Sequence, residues 1–270
     1  MGEYGAVSNG ARILFVGDVV GGAGRRTLQT VLPRLRARTP IDFVVVNGEN
    51  AAGGHGITSK IAREMFACGV DVITLGNHAY RQAEVYAYLD TEPRILRPVN
   101  FLPSQPGHGT CVVESAGGGV RLGVVSLSGN LYMNSSLPAF AQADAALHSL
   151  RGRADQILVD MHAEVTSEKV GLGWYLDGRV SAVVGTHTHV PTADARVLPG
   201  GTAYITDAGM TGARGGVLGV KREQALDALR NRMPVRFESS DDDPWLQGVL
   251  IQCSDEPMRA LSIDGVQEPL

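Results

Sequence analysis

Two histidines one residue apart, His187 and His189, close an apolar run that begins at Val180 and is followed by Pro191. In an extended segment, side chains at i and i+2 point to one side, whereas on a helix they diverge by about 200° and cannot share an ion. Alone, the pair suits a hydrogen-bonded loop as well. Four other apolar runs end in residues of the same chemical kind: Asp18, Glu49 with Asn50, Asn77 with His78, and His162. Each has a structural alternative, since Asp18 suits a helix cap, Glu49 and Asn50 suit loop amides, Asn77 a turn and His162 a bonded core position. Five runs ending in oxygen or imidazole ligands point together to a metal centre. A histidine-rich set with a few oxygens suits iron, manganese or zinc better than magnesium or calcium, with iron or manganese favoured.

The elements that must position these residues are short. Apolar runs at 12–18, 42–50, 71–78, 156–164, 180–191 and 202–207 read as strands with polar ends. Between them lie stretches with helical spacing at 25–38, 59–68 (capped by Thr58 or Ser59), 82–89, 139–150 and up to Leu176. The alternation predicts an α/β domain whose ligand site lies outside the carboxyl ends of the strands. Residues 110–114 and 120–126, joined by three glycines, predict an antiparallel hairpin, and 234–238, 248–253 and 259–263 alternate like further antiparallel strands. The glycines Gly17, Gly21, Gly22 and Gly24 match neither nucleotide-binding motif. No Lys followed by Ser or Thr comes after them, and Thr27 stands where G-x-G-x-x-G needs its third glycine.

Composition narrows the function classes. In 270 residues with 44% hydrophobic and 19% charged side chains, the formal net charge is −4, which leaves no basic footprint for long nucleic acid. No apolar stretch approaches the ~20 residues of a membrane span, and no secretory leader is apparent, so a cytoplasmic protein with no membrane partner is expected. Cys68, Cys111 and Cys253 are far apart in apolar contexts and read as buried thiols. Residues 1–11 are expected to be a flexible N-terminus and 12–270 a single domain. Residues 131–133 and the 209–212 loop look exposed and admit a homo-oligomer. His55, Arg25 and Arg26 read as surface residues before ligand contacts, and Asp207 as a support for a metal-bound histidine.

The set Gly17-Asp18, Gly48-Glu49-Asn50, Gly76-Asn77-His78, Met161-His162 and Gly185-Thr186-His187-Thr188-His189 resembles the calcineurin-like metallophosphoesterases. Their usual motifs are D-x-H, G-D, G-N-H, H and G-H-x-H. Val20 stands where D-x-H has its histidine, and Glu49-Asn50 where the bridging aspartate falls; these departures resemble the YmdB-type bacterial branch. The H-x-H-x-D-H pattern of metallo-β-lactamases does not fit, because Pro191 and Thr192 follow His189. The resemblance implies a four-layer α/β/β/α sandwich with two mixed sheets and a dinuclear centre. Glu49 would bridge two transition-metal ions, Asp18, Asn50 and His189 completing one and Asn77, His162 and His187 the other. Two ions ~3.5–4 Å apart can hold a hydroxide between them and brace a phosphoryl transfer. His78, pointing away from its neighbour Asn77, would be the proton donor to the leaving oxygen.

Two divalent ions set against two carboxylates and a hydroxide leave about one positive charge, a match for a singly charged phosphodiester rather than a dianionic monoester. The resemblance accordingly implies a metal-dependent phosphodiesterase acting on small cyclic nucleotide phosphodiesters such as 2′,3′-cyclic nucleotides. A phosphomonoesterase or nuclease on the same site, or a non-catalytic metal- or nucleotide-sensing module, are the alternatives.

Overall fold

The computed structural model describes residues 10–270. In chain order the elements are β1 (Arg12–Val16), β2 (Asp18–Val19), α1 (Gly21–Arg38), β3 (Phe43–Asn47), α2 (Ser59–Ala67), β4 (Val72–Thr74), α3 (Tyr86–Thr91), β5 (Ile95–Leu96), β6 (Thr110–Glu114) and β7 (Arg121–Ser128). There follow α4 (Ala139–Leu150), β8 (Gln156–His162), α5 (Thr166–Leu176), β9 (Ala182–Thr186), β10 (Arg196–Val197), β11 (Ala203–Ile205), β12 (Met210–Ala213), α6 (Arg222–Asn231), β13 (Pro244–Cys253) and β14 (Ala260–Pro269).

Alternate residues of each central strand face different apolar layers, which is why the strands read as continuous apolar runs. Leu14, Val16, Val44, Val46 and Ile73 pack against Leu28, Val31, Leu32 and Leu35 of α1 and Met65 of α2. Their neighbours Ile13, Phe15, Phe43, Val45 and Val72 turn the other way and meet Leu122, Val124, Leu158, Ala182 and Val184 of a second sheet. The outer face of that sheet, with Val125, Leu127, Val159, Met161 and Val183, is covered by Ala143 and Leu150 of α4 and Leu172 and Leu176 of α5. Three apolar layers thus separate helices, sheet, sheet and helices: a four-layer α/β/β/α sandwich.

Both sheets are mixed. The first has eight strands, with the path β2-β12-β13-β1-β3-β4-β5 and β14 added beside β13. Within it β1, β3, β4 and β5 are parallel, and β13 runs antiparallel to β1. The second has six strands in the order β10-β11-β9-β8-β7-β6, of which β7, β8, β9 and β11 are parallel. The carboxyl ends of the two parallel sets therefore open on one edge of the sandwich.

Several expectations need correction. α1 begins at Gly21 rather than Arg25: the glycine run is its first turn, packed so closely on β12 that a Cβ at Gly24 would lie 2.3 Å from the Thr211 carbonyl oxygen. Residues 234–238 form no strand, and the polar helix α6 precedes them. Residues 209–212 are not an exposed loop, because Met210 to Ala213 are the buried strand β12. Of the N-terminal segment, residues 1–9 lie outside the described residues, but Ala11 is buried and its carbonyl accepts from the Cys253 N–H. No described helix is long and apolar enough to cross a membrane.

Candidate metal centre

The paired histidines do not converge by strand pleat as expected. β9 ends at Thr186, and both His187 (φ 93°) and His189 (φ 66°) lie beyond it in the left-handed region. That backbone is costly for residues with a Cβ and persists only when the surroundings enforce it. The enforcement acts on Thr188 between them: its N–H and its hydroxyl donate to Asp207 Oδ2 at 3.0 and 2.6 Å. Buried Lys169 of α5 donates to the same carboxylate oxygen at 2.9 Å and to the Thr188 hydroxyl at 3.0 Å.

Around this turn the other strand ends close in. His162, the last residue of β8, brings Nε2 to 3.1 Å from Glu49 Oε1 and 3.0 Å from Asn77 Oδ1. Asp18 accepts the His187 N–H on Oδ2 at 3.1 Å and directs Oδ1 toward His189 Nε2, 3.8 Å away. Asn50 stands between two rings, with Nδ2 3.2 Å from His189 Nε2 and Oδ1 2.8 Å from His78 Nδ1. Its carbonyl is held by the Gly21 N–H at the start of α1. Gly76 is required here, because a Cβ would fall 2.1 Å from His162 Cδ2 and 2.4 Å from Glu49 Oε2. The eight strand-end candidates, Asp18, Glu49, Asn50, Asn77, His78, His162, His187 and His189, thus converge on one cluster.

The donor set fits metal ions. Asp18 and Glu49 are fully buried, yet Asp18 Oδ1 and His189 Nδ1 have no hydrogen-bond partner among the described residues, and Glu49 Oε1 meets only ring nitrogens, His162 Nε2 at 3.1 Å and His78 Nδ1 at 3.3 Å. Buried carboxylate oxygens left unpaired are costly unless a cation compensates them. Glu49, His162 and His187 each offer a ligand atom, all within 4.8 Å of one another. Burial would raise the Glu49 carboxyl, but His162 and His78 beside it hold it well below the usual range. His187 is pushed down to about 3 by burial and by the neighbouring His162, which leaves a neutral ring with a free lone pair. Burial alone would lower His162 too, but Glu49, Asp18 and Asp160 outweigh it and raise the ring to about 9.

A layer missed in the sequence fixes His162. The Thr186 hydroxyl donates to Asp160 Oδ1 at 2.6 Å and lies 2.9 Å from His162 Nδ1, so it accepts the Nδ1 proton and Nε2 faces Glu49 and Asn77. Asp160, pushed up to about 6 by burial, also accepts from Thr74 Oγ1 at 2.5 Å and Asn47 Nδ2 at 3.0 Å. Glu164, likewise not singled out, lies 3.1 Å from His187 Nε2. Asp207 reaches the histidines through Thr188 rather than directly. Arg25 turns to the Ala51 carbonyl and Arg26 to Asp241.

The centre floors a cleft of about 400 Å³ whose lining includes His55, His78, Glu164 and no Lys or Arg among the described residues. His78 is anchored through Nδ1, with Asn50 Oδ1 at 2.8 Å and Glu49 Oε1 at 3.3 Å.

Residues 14–266 match the model of the YmdB-like protein family. The chain is 44% identical over 255 residues to a 2′,3′-cyclic-nucleotide 2′-phosphodiesterase of Bacillus subtilis, covering 94% of this chain and 96% of that one. A crystal structure of a hypothetical protein from Thermus thermophilus superposes with a TM-score of 0.88 at 40% identity, covering 96% of this chain and 99% of that one. A structure described as a novel phosphatase from Mycoplasma pneumoniae gives 0.88 at 32% identity, covering 97% and 95%.

Proposed function

The chain belongs to the YmdB-like protein family and is a phosphoesterase, and we propose that it is a metal-dependent phosphodiesterase for small cyclic nucleotides, 2′,3′-cyclic nucleotides among them. The observation that carries this reading is the pair of buried carboxylates, Asp18 and Glu49, whose oxygens face histidine nitrogens on a cleft floor. Asp18, Asn50 and His189 would hold one ion, Asn77, His162 and His187 the other, and Glu49 both. Nitrogen and oxygen donors without a thiolate favour iron or manganese. Bound there, two ions supply charge neutralisation for the phosphoryl oxygens and a water activated at neutral pH.

The chain's own residues supply the rest. His78, free at Nε2 among the described residues, donates the proton to the leaving ribose oxygen. Asn50 Oδ1, 2.8 Å from His78 Nδ1, accepts the proton there, so a ring that gives its Nε2 proton to the leaving oxygen is left neutral with its Nδ1 proton still bonded. A lining with two carboxylates and, among the described residues, no Lys or Arg supports a singly charged diester over a dianionic monoester. The phosphatase reading carried by the Mycoplasma protein's description is second for that reason.

Free thiols at Cys68, Cys111 and Cys253 support a reducing, cytoplasmic setting, and exposed Leu131 and Tyr132 support association between copies. The deciding experiment sets metal content of purified protein beside turnover of 2′,3′-cyclic AMP and 3′-AMP. Two ions per chain, faster diester hydrolysis and loss of both properties in Glu49→Gln are expected. Faster monoester hydrolysis overturns the substrate assignment, and no turnover with any metal overturns the enzyme.

A further inference from the structure

Beside its polar residues, the cleft lining holds four apolar side chains, those of Val20, Leu218, Val220 and Phe237. Two of these large apolar side chains are far from buried: Leu218 is 52% exposed and Phe237 47%. Leu218 is also held at φ 49°, a left-handed backbone that a branched side chain adopts only under constraint. The constraint is visible, since Val217 pairs with Val220 across the turn and Val220 bridges to Ser239. Gly219 is pressed so tightly beneath that a Cβ there would lie 2.8 Å from Val20 Cγ1. A strained turn therefore presents an exposed leucine where core packing has no need of it, in a cleft that an exposed phenylalanine also lines.

We infer that Leu218 and Phe237, backed by Val20 and Val220, form the subsite for the nucleobase of the substrate. The inference rests on the cyclic-nucleotide reading above and adds the part of the ligand that the metal floor does not explain. With no Lys or Arg in that lining among the described residues, the metal-type floor is where a phosphate would sit, and the remainder of a ligand is matched by other forces. A flat ring system offers apolar faces to those side chains and meets the Phe237 ring by stacking. Space for a purine is present in the cleft itself, at about 400 Å³, and a second hollow that shares Leu218 and His189 with it carries Arg214 and Gln247 in its lining. The lip sets selectivity for nucleotides over other small diesters, and with few directional donors in it, weak discrimination between bases.

The test compares kcat/KM of the metal-loaded protein for 2′,3′-cyclic AMP and for the 2,3-cyclic phosphate of methyl riboside, the same cyclic diester without a base. The wild type prefers the nucleotide by about tenfold or more. In Leu218→Ala and Phe237→Ala that preference falls several-fold, through KM, and it approaches unity in the double variant. Both side chains are exposed, and an unchanged Tm checks the fold of each variant. Equal turnover of the two esters by the wild type overturns the inference while leaving the phosphodiesterase standing. So does a loss shared equally by both esters, which would mean that the lip shapes the floor, or a preference that survives in the double variant, which would leave the lip to another partner. Hydrolysis of neither ester defeats the parent reading, and this one with it.

Discussion

His162 shows how a single ring is given its role. Asp160 accepts from the Thr186 hydroxyl, that hydroxyl accepts from Nδ1, and Nε2 is thereby aimed at Glu49 and Asn77. Replacing Thr186 with Val removes a hydroxyl that both donates and accepts while leaving the shape of the strand end. Such changes behind a metal-bound histidine cost about 10–100-fold in metal affinity. Competition with a chelator should show that loss in Thr186→Val, and an unchanged affinity would mean that Asn77 and Glu49 hold the ring without it. His78 makes the opposite case. In the proposed role of proton donor, its replacement by Ala should lower kcat by about 10²–10⁴-fold with metal content unchanged; a parallel loss of metal would turn it into a ligand. The ligand-type residues were legible because each ends an apolar run, where a polar side chain has no reason to be unless it meets something. Asp160 lies inside such a run, two residues before His162 on the same face of β8. An aspartate there must be bonded, but the sequence does not say that Thr74, Asn47 and Thr186 from three other strand ends do the bonding.

At the scale of elements, the turn after β9 depends on a helix it does not belong to. Lys169 shares the buried face of α5 with Leu172, Gly173 and Leu176, and it is the one charge on that face. A lysine at an apolar helical position is a readable sign of a buried partner, although spacing alone cannot name Asp207. Breaking a buried pair from one side leaves the other charge unpaired, at a cost of about 3–5 kcal/mol. Lys169→Met should therefore lower unfolding free energy in denaturant by roughly that amount, and release the left-handed backbone at His187 and His189 so that metal binding weakens too. A loss below about 1 kcal/mol would show that Thr188 is held by Asp207 alone. Elsewhere the elements were legible where their apolar pattern is strong, as at 139–150, which matches α4 residue for residue. They were not where polarity dominates. α6 buries only Ala225 and leaves no stripe to read, and the alternation at 234–238 belongs to a largely exposed segment rather than a strand.

Across the whole molecule, the α/β class follows from the order of elements, whereas the division into two sheets came from family resemblance. A buried strand carries the same apolar run whichever sheet it joins, and β13 reaches its place beside β1 from the far end of the chain. That arrangement brings carboxylates from one sheet against histidines from the other, so metal, charge and stability are linked through the joint between sheets. Without ions, Glu49, held well below its ordinary value, and His162, raised from 6.5 to about 9, form a charged pair across that joint. A raised histidine contributes stability that is complete below its unfolded value and is lost as pH rises through its folded one. The stripped protein should thus lose stability between about pH 6.5 and pH 9. Ions held there would reverse the dependence, because taking the Nε2 lone pair would displace its proton, and their binding would strengthen as pH rises. The Tm difference between manganese-loaded and chelator-stripped protein should accordingly widen from about pH 6 to about pH 8.5. A gap that stays constant or narrows would mean that no proton leaves His162 on binding, and that the ions are held elsewhere than between the two sheets.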